Sequence, residues 1–576
     1  MAEKKKRGSF SMAVLVVLLL MGGSCTGGLI WLASSGGVSK GTVLEIRLDG
    51  PLTEGPTKDI FAELSGQKPL SLYSLRQGLR AAAEDDDIAA VLVEVSTPAM
   101  GMASLEEVAS ELDRFREKSG KPLHVLLQTD MVYEPHVYLA GAATKSWATP
   151  TAFWMLNGLQ VDVPFWKGTL EKLHIEPDFI MFKEYKSAGE PYSRSEMSEY
   201  FREAITDVAG DLQDLWYERV AARTGVDREK LKALVDQGMQ TGEEARALGL
   251  FDAYGYLDEV EEELRTVAGT DEYESISIGR YLMKVKDKVR GEHIAVIFGE
   301  GQIVASRQSG GLFGGGMLHG PVVAAHIREA ADEEDVKAIV FRVNSPGGSA
   351  VGSDLVWREI ERAQKLGKPV VVSMSDVAGS GGYWVSMGAD AIVAQPATIT
   401  GSIGVVFGKF NLRGFYEWIG ANVETIKFAE NSDIMSEFAS LSDEQRARTV
   451  SVLDSLYTDF KRKVGEGRSI ELPKVEELAK GRIWSGRDAV GKGLVDETGG
   501  LETAVQLAAK KAGLGEDVKL KAYPEPKDLW QMIQDGELGA SVQAAQPLPD
   551  AAAIEAWLRD LEQPRTLALM PDVQVR

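Results

Sequence analysis

The stretch Lys368–Val406 reads KPVVVSMSDVAGSGGYWVSMGADAIVAQPATITGSIGVV, and the fold turns on how it is read. It opens on a β-branched apolar run, Pro369–Met374, with the length and composition of a buried strand. Asp376 and the cluster Gly379-Ser380-Gly381-Gly382 follow, and then an apolar segment, Tyr383–Met387, that can begin a helix. A serine on a glycine-flanked strand-to-helix turn presents its hydroxyl to the surface, with backbone N–H groups close by. Acyl transfer uses that arrangement, because those N–H groups hold the oxyanion that develops at the attacked carbonyl. Taken alone, Gly-Ser-Gly-Gly is more often a plain flexible turn. The rest of the chain has to decide.

Outward from this stretch, the chain repeats itself. Asp85–Pro98 (DDDIAAVLVEVSTP) aligns with Glu333–Pro346 (EEDVKAIVFRVNSP), each an acidic helix end feeding a buried strand. Gly120-Lys121-Pro122 matches Gly367-Lys368-Pro369, and Thr241–Asp252 (TGEEARALGLFD) matches Ser485–Asp496 (SGRDAVGKGLVD). The near-constant offset makes residues 43–290 and 291–522 two copies of one domain, with a C-terminal extension, 523–576. Within each copy apolar strands alternate with amphipathic helices, which predicts an α/β fold of mainly parallel sheet covered by helices. Ligand groups in such folds gather at the carboxyl ends of strands. The loops Ser345–Ser349 and Gly379–Gly382 both fall there, so Gly347, Gly348 and Gly381 are candidates for one oxyanion pocket.

The first copy lacks these features. It has Ser96-Thr97-Pro98-Ala99-Met100 where the second has Asn344-Ser345-Pro346-Gly347-Gly348, and Glu134 stands about opposite Ser380. Its own distinctive segment is Phe182–Arg194, FKEYKSAGEPYSR, in which Lys186 aligns near Ser432 of the second copy. Among the remaining polar groups, Asp376 reads as a turn-initiating acid and Ser402 as a helix or turn cap.

Composition removes several function classes. The chain has 576 residues, too many for one core, and a net charge of −23 that disfavours nucleic acid. One cysteine, Cys25, allows no intrachain disulfide, and the six histidines show no metal-ligand spacing, so neither a metal nor another cofactor is expected. At the amino terminus, residues 1–9 carry Lys4-Lys5-Lys6-Arg7, and the apolar run from Phe10 to Leu32 follows. As a helix it would span roughly 34 Å, enough for a bilayer. The basic flank places the tail in the cytoplasm, the linker 33–42 and everything beyond it outside. A cleaved signal peptide is the competing reading of this segment.

YKSAGEP, NSPGG, the SGGYW of Ser380–Trp384 and the TGSIGV of Thr400–Val405, in this order and spacing, resemble the signal peptide peptidase A family in its long, two-repeat form. The resemblance implies two tandem Clp protease/crotonase-like repeats behind a single N-terminal transmembrane helix, and a Ser/Lys peptidase. By it Ser380 is the nucleophile, Lys186 the general base and Ser402 a partner that orients the lysine. It also implies signal-peptide substrates, a homo-oligomer, here a tetramer, and a bacterial inner-membrane location with the bulk outside the cytoplasm. A lysine normally titrates near 10.4, so as a base it needs burial or positive neighbours. His326 is the one histidine placed to compete for the role. Two other functions fit the same fold: a crotonase-type enzyme on acyl thioesters, and an inactive membrane scaffold. The export signal counts against the first, and intact Ser380 and Lys186 against the second.

Overall fold

The structure is a computed structural model that describes residues 37–56, 70–285, 291–307, 316–515 and 517–525, with the backbone of strands 565–568 and 574–575. The expected cytoplasmic tail and anchor, the glycine-rich segment 308–315 and most of the extension lie outside the described residues. Among the described residues, no helix is long and apolar enough to cross a membrane.

The first repeat is built on strands β1 (Thr42–Pro51), β2 (Ile88–Ala99), β3 (Leu123–Leu127) and β4 (Lys145–Ala148). It continues through β5 (Glu176–Phe182), β6 (Ala253–Tyr254) and β7 (Ser275–Ser277), with helices α1 (Leu72–Glu84), α2 (Met102–Ser119) and α3 (Glu199–Thr224). Its sheet runs β7-β1-β2-β3-β4-β6 and is parallel throughout. The second repeat holds β8 (His293–Glu300), β9 (Gln302–Val304), β10 (Met317–His319), β11 (Val336–Ser345) and β12 (Gly348–Ser349). After helix α4 (Ala350–Lys365) come β13 (Val370–Gly379), helix α5 (Gly381–Trp384), β14 (Ala391–Ala394), β15 (Ile399–Gly401) and β16 (Val405–Asn411). β17 (Ile483–Ser485) and β18 (Lys519–Tyr523) join its sheet, which runs β17-β15-β13-β11-β8-β18, with β14 also on β13 and the short strand Glu497–Thr498 on β14.

The unbroken Val370-Val371-Val372 run is explained by burial on both faces of β13. Val370 and Val372 join the main core, while Val371 packs into the cluster on the opposite side. A strand covered twice has no polar face to alternate with. Each such side chain contributes about 1.5–3 kcal/mol through burial.

The two repeats are joined by a third sheet, β10-β9-β12-β19-β16-β5, in which β19 is Arg565–Ala568. Its last strand comes from the first repeat: β5 pairs antiparallel with β16 from Val405↔Phe182 to Asn411↔Glu176. A buried ionic cluster ties the repeats together as well. Arg342 donates to Glu54 (2.7 Å) and Glu107 (2.6 Å) of the first repeat, and to Ser373 and Ser375 of β13. A buried charge is tolerated only when paired and hydrogen-bonded in this way.

Candidate active site

Ser380 stands between β13 and α5 with φ 55° and ψ −112°. That left-handed region is rare for a serine and stores about 1–3 kcal/mol of strain, which the surroundings must hold. Its N–H donates to the Gly401 carbonyl (2.8 Å), and its carbonyl accepts from Trp384 N–H as α5 begins. The strand-to-helix turn read from the sequence is therefore present. Its hydroxyl is not at the surface, however: Ser380 is 0% exposed. The reason is non-local, because the lysine arm of the first repeat lies against it.

That arm leaves β5 directly. Pairing of β5 with β16 carries the chain to Lys186, whose Nζ lies 2.8 Å from Ser380 Oγ within the same chain. The same nitrogen donates to Ser402 Oγ (3.0 Å) and to the Ser402 carbonyl (3.1 Å). Ser402 is set by its own N–H, which donates to the Arg482 carbonyl (2.7 Å). The Arg482 guanidinium reaches back to the first repeat, to Tyr185 Oη (2.8 Å) and Glu203 (2.6 Å). Burial alone pushes the Lys186 ammonium down from its ordinary value to about 7. No opposing carboxylate restores the charge.

Two glycines to which the sequence assigns no role, Gly481 and the Gly404 of TGSIGV, leave room for this lysine. A Cβ at Gly481 would stand 2.5–2.6 Å from the backbone N, Cα and Cβ of Lys186, and one at Gly404 would stand 3.3 Å from Lys186 Cδ. Gly481 also has φ +86°, so both close approach and conformation exclude a side chain. Only the folded contact with another repeat reveals their purpose.

The glycine loop lies beside the serine. Gly347 and Gly348 have φ +104° and +147°. A Cβ at Gly381 would come within 3.0 Å of Gly348 N and 2.7 Å of Ser353 Oγ. Gly347 gives its own N–H to Ser345 Oγ (3.2 Å).

The other singled-out residues lie elsewhere. Glu134 accepts the N–H groups of Asn157 and Gly158. Ser432 is exposed and bonds the Ala429 carbonyl. His326 lines a separate cleft of about 290 Å³ with Phe298, Glu300, His319 and Tyr523. Asp376 initiates no turn; it lies inside β13 and bonds Ser104 of the first repeat, because β13 continues beyond the apolar run.

A serine on a strained turn, hydrogen-bonded to a lysine that burial holds near neutrality and flanked by a glycine loop, has the chemistry that a serine-type hydrolase requires. The sequence comparisons give the family. Residues 116–271 and 362–515 match Peptidase family S49, one segment in each repeat, and the chain belongs to that family. It is 34% identical over 519 residues to the chloroplastic serine protease SPPA of Arabidopsis thaliana, covering 88% of this chain and 74% of that one. It is 32% identical over 502 residues to Protease 4 of Salmonella typhi, covering 85% and 78%. Protease 4 of Haemophilus influenzae is 29% identical over 525 residues, covering 85% and 83%. The protein is thus a serine-type peptidase, with two repeats of an α/β fold of mainly parallel sheet.

Proposed function

We propose that this peptidase hydrolyses membrane-derived peptides, remnant signal peptides in particular, with Ser380 as nucleophile and Lys186 as general base. The observation that carries the reading is the 2.8 Å contact between Lys186 Nζ and Ser380 Oγ, made by a lysine held near pH 7. A neutral amine has two N–H groups and one lone pair. The Ser402 carbonyl can only accept, and Ser402 Oγ is free to accept, so these two take the N–H groups. The lone pair is then left for the Ser380 hydroxyl, which is the geometry of proton removal during attack. Ser402 acts as the orienting partner rather than a cap. Since Gly347 N–H is held by Ser345, the oxyanion falls to the N–H groups of Gly348 and Gly381, with Gly347 shaping the turn.

An extended substrate fits the sheet geometry. β12 and β16 flank the site, and β19 of the chain itself pairs antiparallel with both, so a substrate strand binds between them by taking the place of β19. Main-chain pairing of that kind binds peptides with little regard to sequence, as disposal of varied signal peptides requires. The run 10–32 acts as an uncleaved anchor that keeps the two units, 43–290 and 291–522, at the outer face of the membrane. The test is incubation of a synthetic signal-peptide core with the full chain and its Ser380→Ala variant. Cleavage by the first alone is expected, and equal cleavage by both would remove the reading. Membrane fractionation beside a chain starting at Gly37 tests the anchor, since retention of both forms in membranes would exclude it.

The oligomer is proposed on the asymmetry of the repeats. The lysine segment of the first repeat packs onto the second, whereas the equivalent segment of the second stands bare: Ile426 is 82% and Phe428 96% exposed. The same packing repeated between chains, second repeat onto the next first repeat, covers that apolar face and closes a ring. Phe428→Asp is expected to reduce the assembly to monomers by light scattering, and an unchanged mass would exclude this contact.

A further inference from the structure

The first repeat reaches the nucleophile strand at a second point, unrelated to Lys186. β13 does not pair evenly with β11. Met374 opposes Val343 and Ala378 opposes Ser345, so Ser375, Asp376 and Val377 stand against Asn344 alone. The excess forms a bulge just ahead of Ser380. There β13 also changes its other partner, from β14 (up to Met374) to β15 (from Val377). A bulge bends its strand and re-aims the side chains beyond it.

The polar groups at this bulge are individually held. Val377 N–H donates to Asn344 Oδ1, the Ser375 carbonyl accepts from Thr398 Oγ1, and Ser375 Oγ accepts from Arg342. Asp376 leaves the second repeat altogether. Its Oδ1 accepts the N–H of Ser104 (2.9 Å) and its Oδ2 the Ser104 hydroxyl (2.6 Å), at the third position of α2.

The equivalent helix of the second repeat shows what this contact replaces. In α4 the N-cap is Ser349, whose Oγ accepts the third-position N–H, from Gly352. In α2 the N-cap is Gly101, which has no side chain to offer. A Cβ on Gly101 would stand 2.4 Å from Asp376 Cγ and Oδ1, so the carboxylate fills the place of the missing cap. Gly101 has φ −74°, where any residue is comfortable; the three atoms that a Cβ would meet first all belong to Asp376.

We infer that Asp376 is a positioning residue for the peptidase reaction. By capping α2 across the inter-repeat interface, it fixes the bulge in β13 and thereby the aim of Ser380 at Lys186 and the glycine loop. The first repeat then supplies the base and also the reference point against which the nucleophile is held. Misplacement by about 1 Å lowers rate by about 10²-fold. This inference rests on the reading of Ser380 as nucleophile.

The test separates positioning from mere helix capping. Asp376→Ala is expected to lower kcat and the rate of labelling by a fluorophosphonate about 10²-fold, with KM unchanged, and to lower the melting temperature. Asp376→Asn, which keeps an acceptor at Oδ1, is expected to recover most of both. The decisive variant is Gly101→Ser with Asp376→Ala, where α2 carries its own cap and the opposing carboxylate is gone. Its melting temperature is expected to return while kcat stays low. Gly101→Ser alone, which pushes the carboxylate out and leaves the helix capped, is expected to lower kcat and serves if Asp376→Ala does not fold. Recovery of kcat together with stability in the double variant overturns the inference, as does normal labelling of Asp376→Ala or of Gly101→Ser. Ser380→Ala alongside keeps the two readings apart, since its full activity would remove the nucleophile assignment instead.

Discussion

Lys186→Ala is expected to lower peptide hydrolysis by at least about 10⁴-fold without unfolding the chain, and Ser380→Ala to do the same. The size comes from the isolation of the pair. Among the described residues, Lys186 Nζ is the titratable group within hydrogen-bond reach of Ser380 Oγ, so no second base can take the proton. Lys186→Arg should fail as completely, because a guanidinium does not give up its proton in this pH range. Lys186→His should fail too, since the imidazole is several ångströms short of the place Nζ occupies. The double variant should be no worse than either single one, as groups that act as a unit are not additive. Mixing Ser380→Ala chains with Lys186→Ala chains should restore nothing, even in proven mixed oligomers, because serine and lysine meet within one chain. Hydrolysis by the Lys186→Ala protein within tenfold of the unmodified protein would sink the dyad; recovered hydrolysis on mixing would move the pairing between chains.

The parts of this site differ in how far one sequence could disclose them. The nucleophile turn is written locally: a β-branched run, glycines on both sides of Ser380, and an apolar helix start lie within twenty residues. The repeat architecture is legible because offset and order survive where identity does not. Lys186 has no local signature, since a lysine in a polar segment is ordinarily solvated. Its burial comes from β5 pairing with β16, and a pairing between segments more than 220 residues apart leaves no trace in either segment's own pattern. The same holds for Gly481 and Gly101, which look like turn glycines until the side chain that needs their space is seen. Asp376 misleads for a related reason. Polar residues after an apolar run suggest its end, but here Ser373, Ser375 and Asp376 face a buried ionic cluster and a neighbouring helix, so the strand goes on.

The burial that makes Lys186 a base also destabilises the fold, and both consequences depend on pH in a determined direction. In the folded chain the amine titrates near 7, and in the unfolded chain near 10.4. Activity should therefore fall about tenfold per pH unit below 7 and stay level from about 8 to 10. Stability responds over the interval between the two values. There the unfolded chain carries a proton at this position that the folded chain lacks, so stability rises with pH. Below 7 both states are charged, and the penalty of the buried ammonium is fully present, about 5 kcal/mol at about 1.4 kcal/mol for each tenfold change in proton affinity. Above 10.4 both are neutral and the penalty vanishes. Lys186→Met has no such group and shares every other titration. Its stability advantage over the unmodified chain should be greatest at pH 6 to 7 and shrink by about 1.4 kcal/mol per pH unit from 7 to 10. Urea unfolding of both proteins at each pH measures this directly. Parallel stability curves, with an activity inflection near 10 instead of 7, would mean that the lysine keeps its proton in the fold up to its ordinary value and that burial does not make it a base at neutral pH.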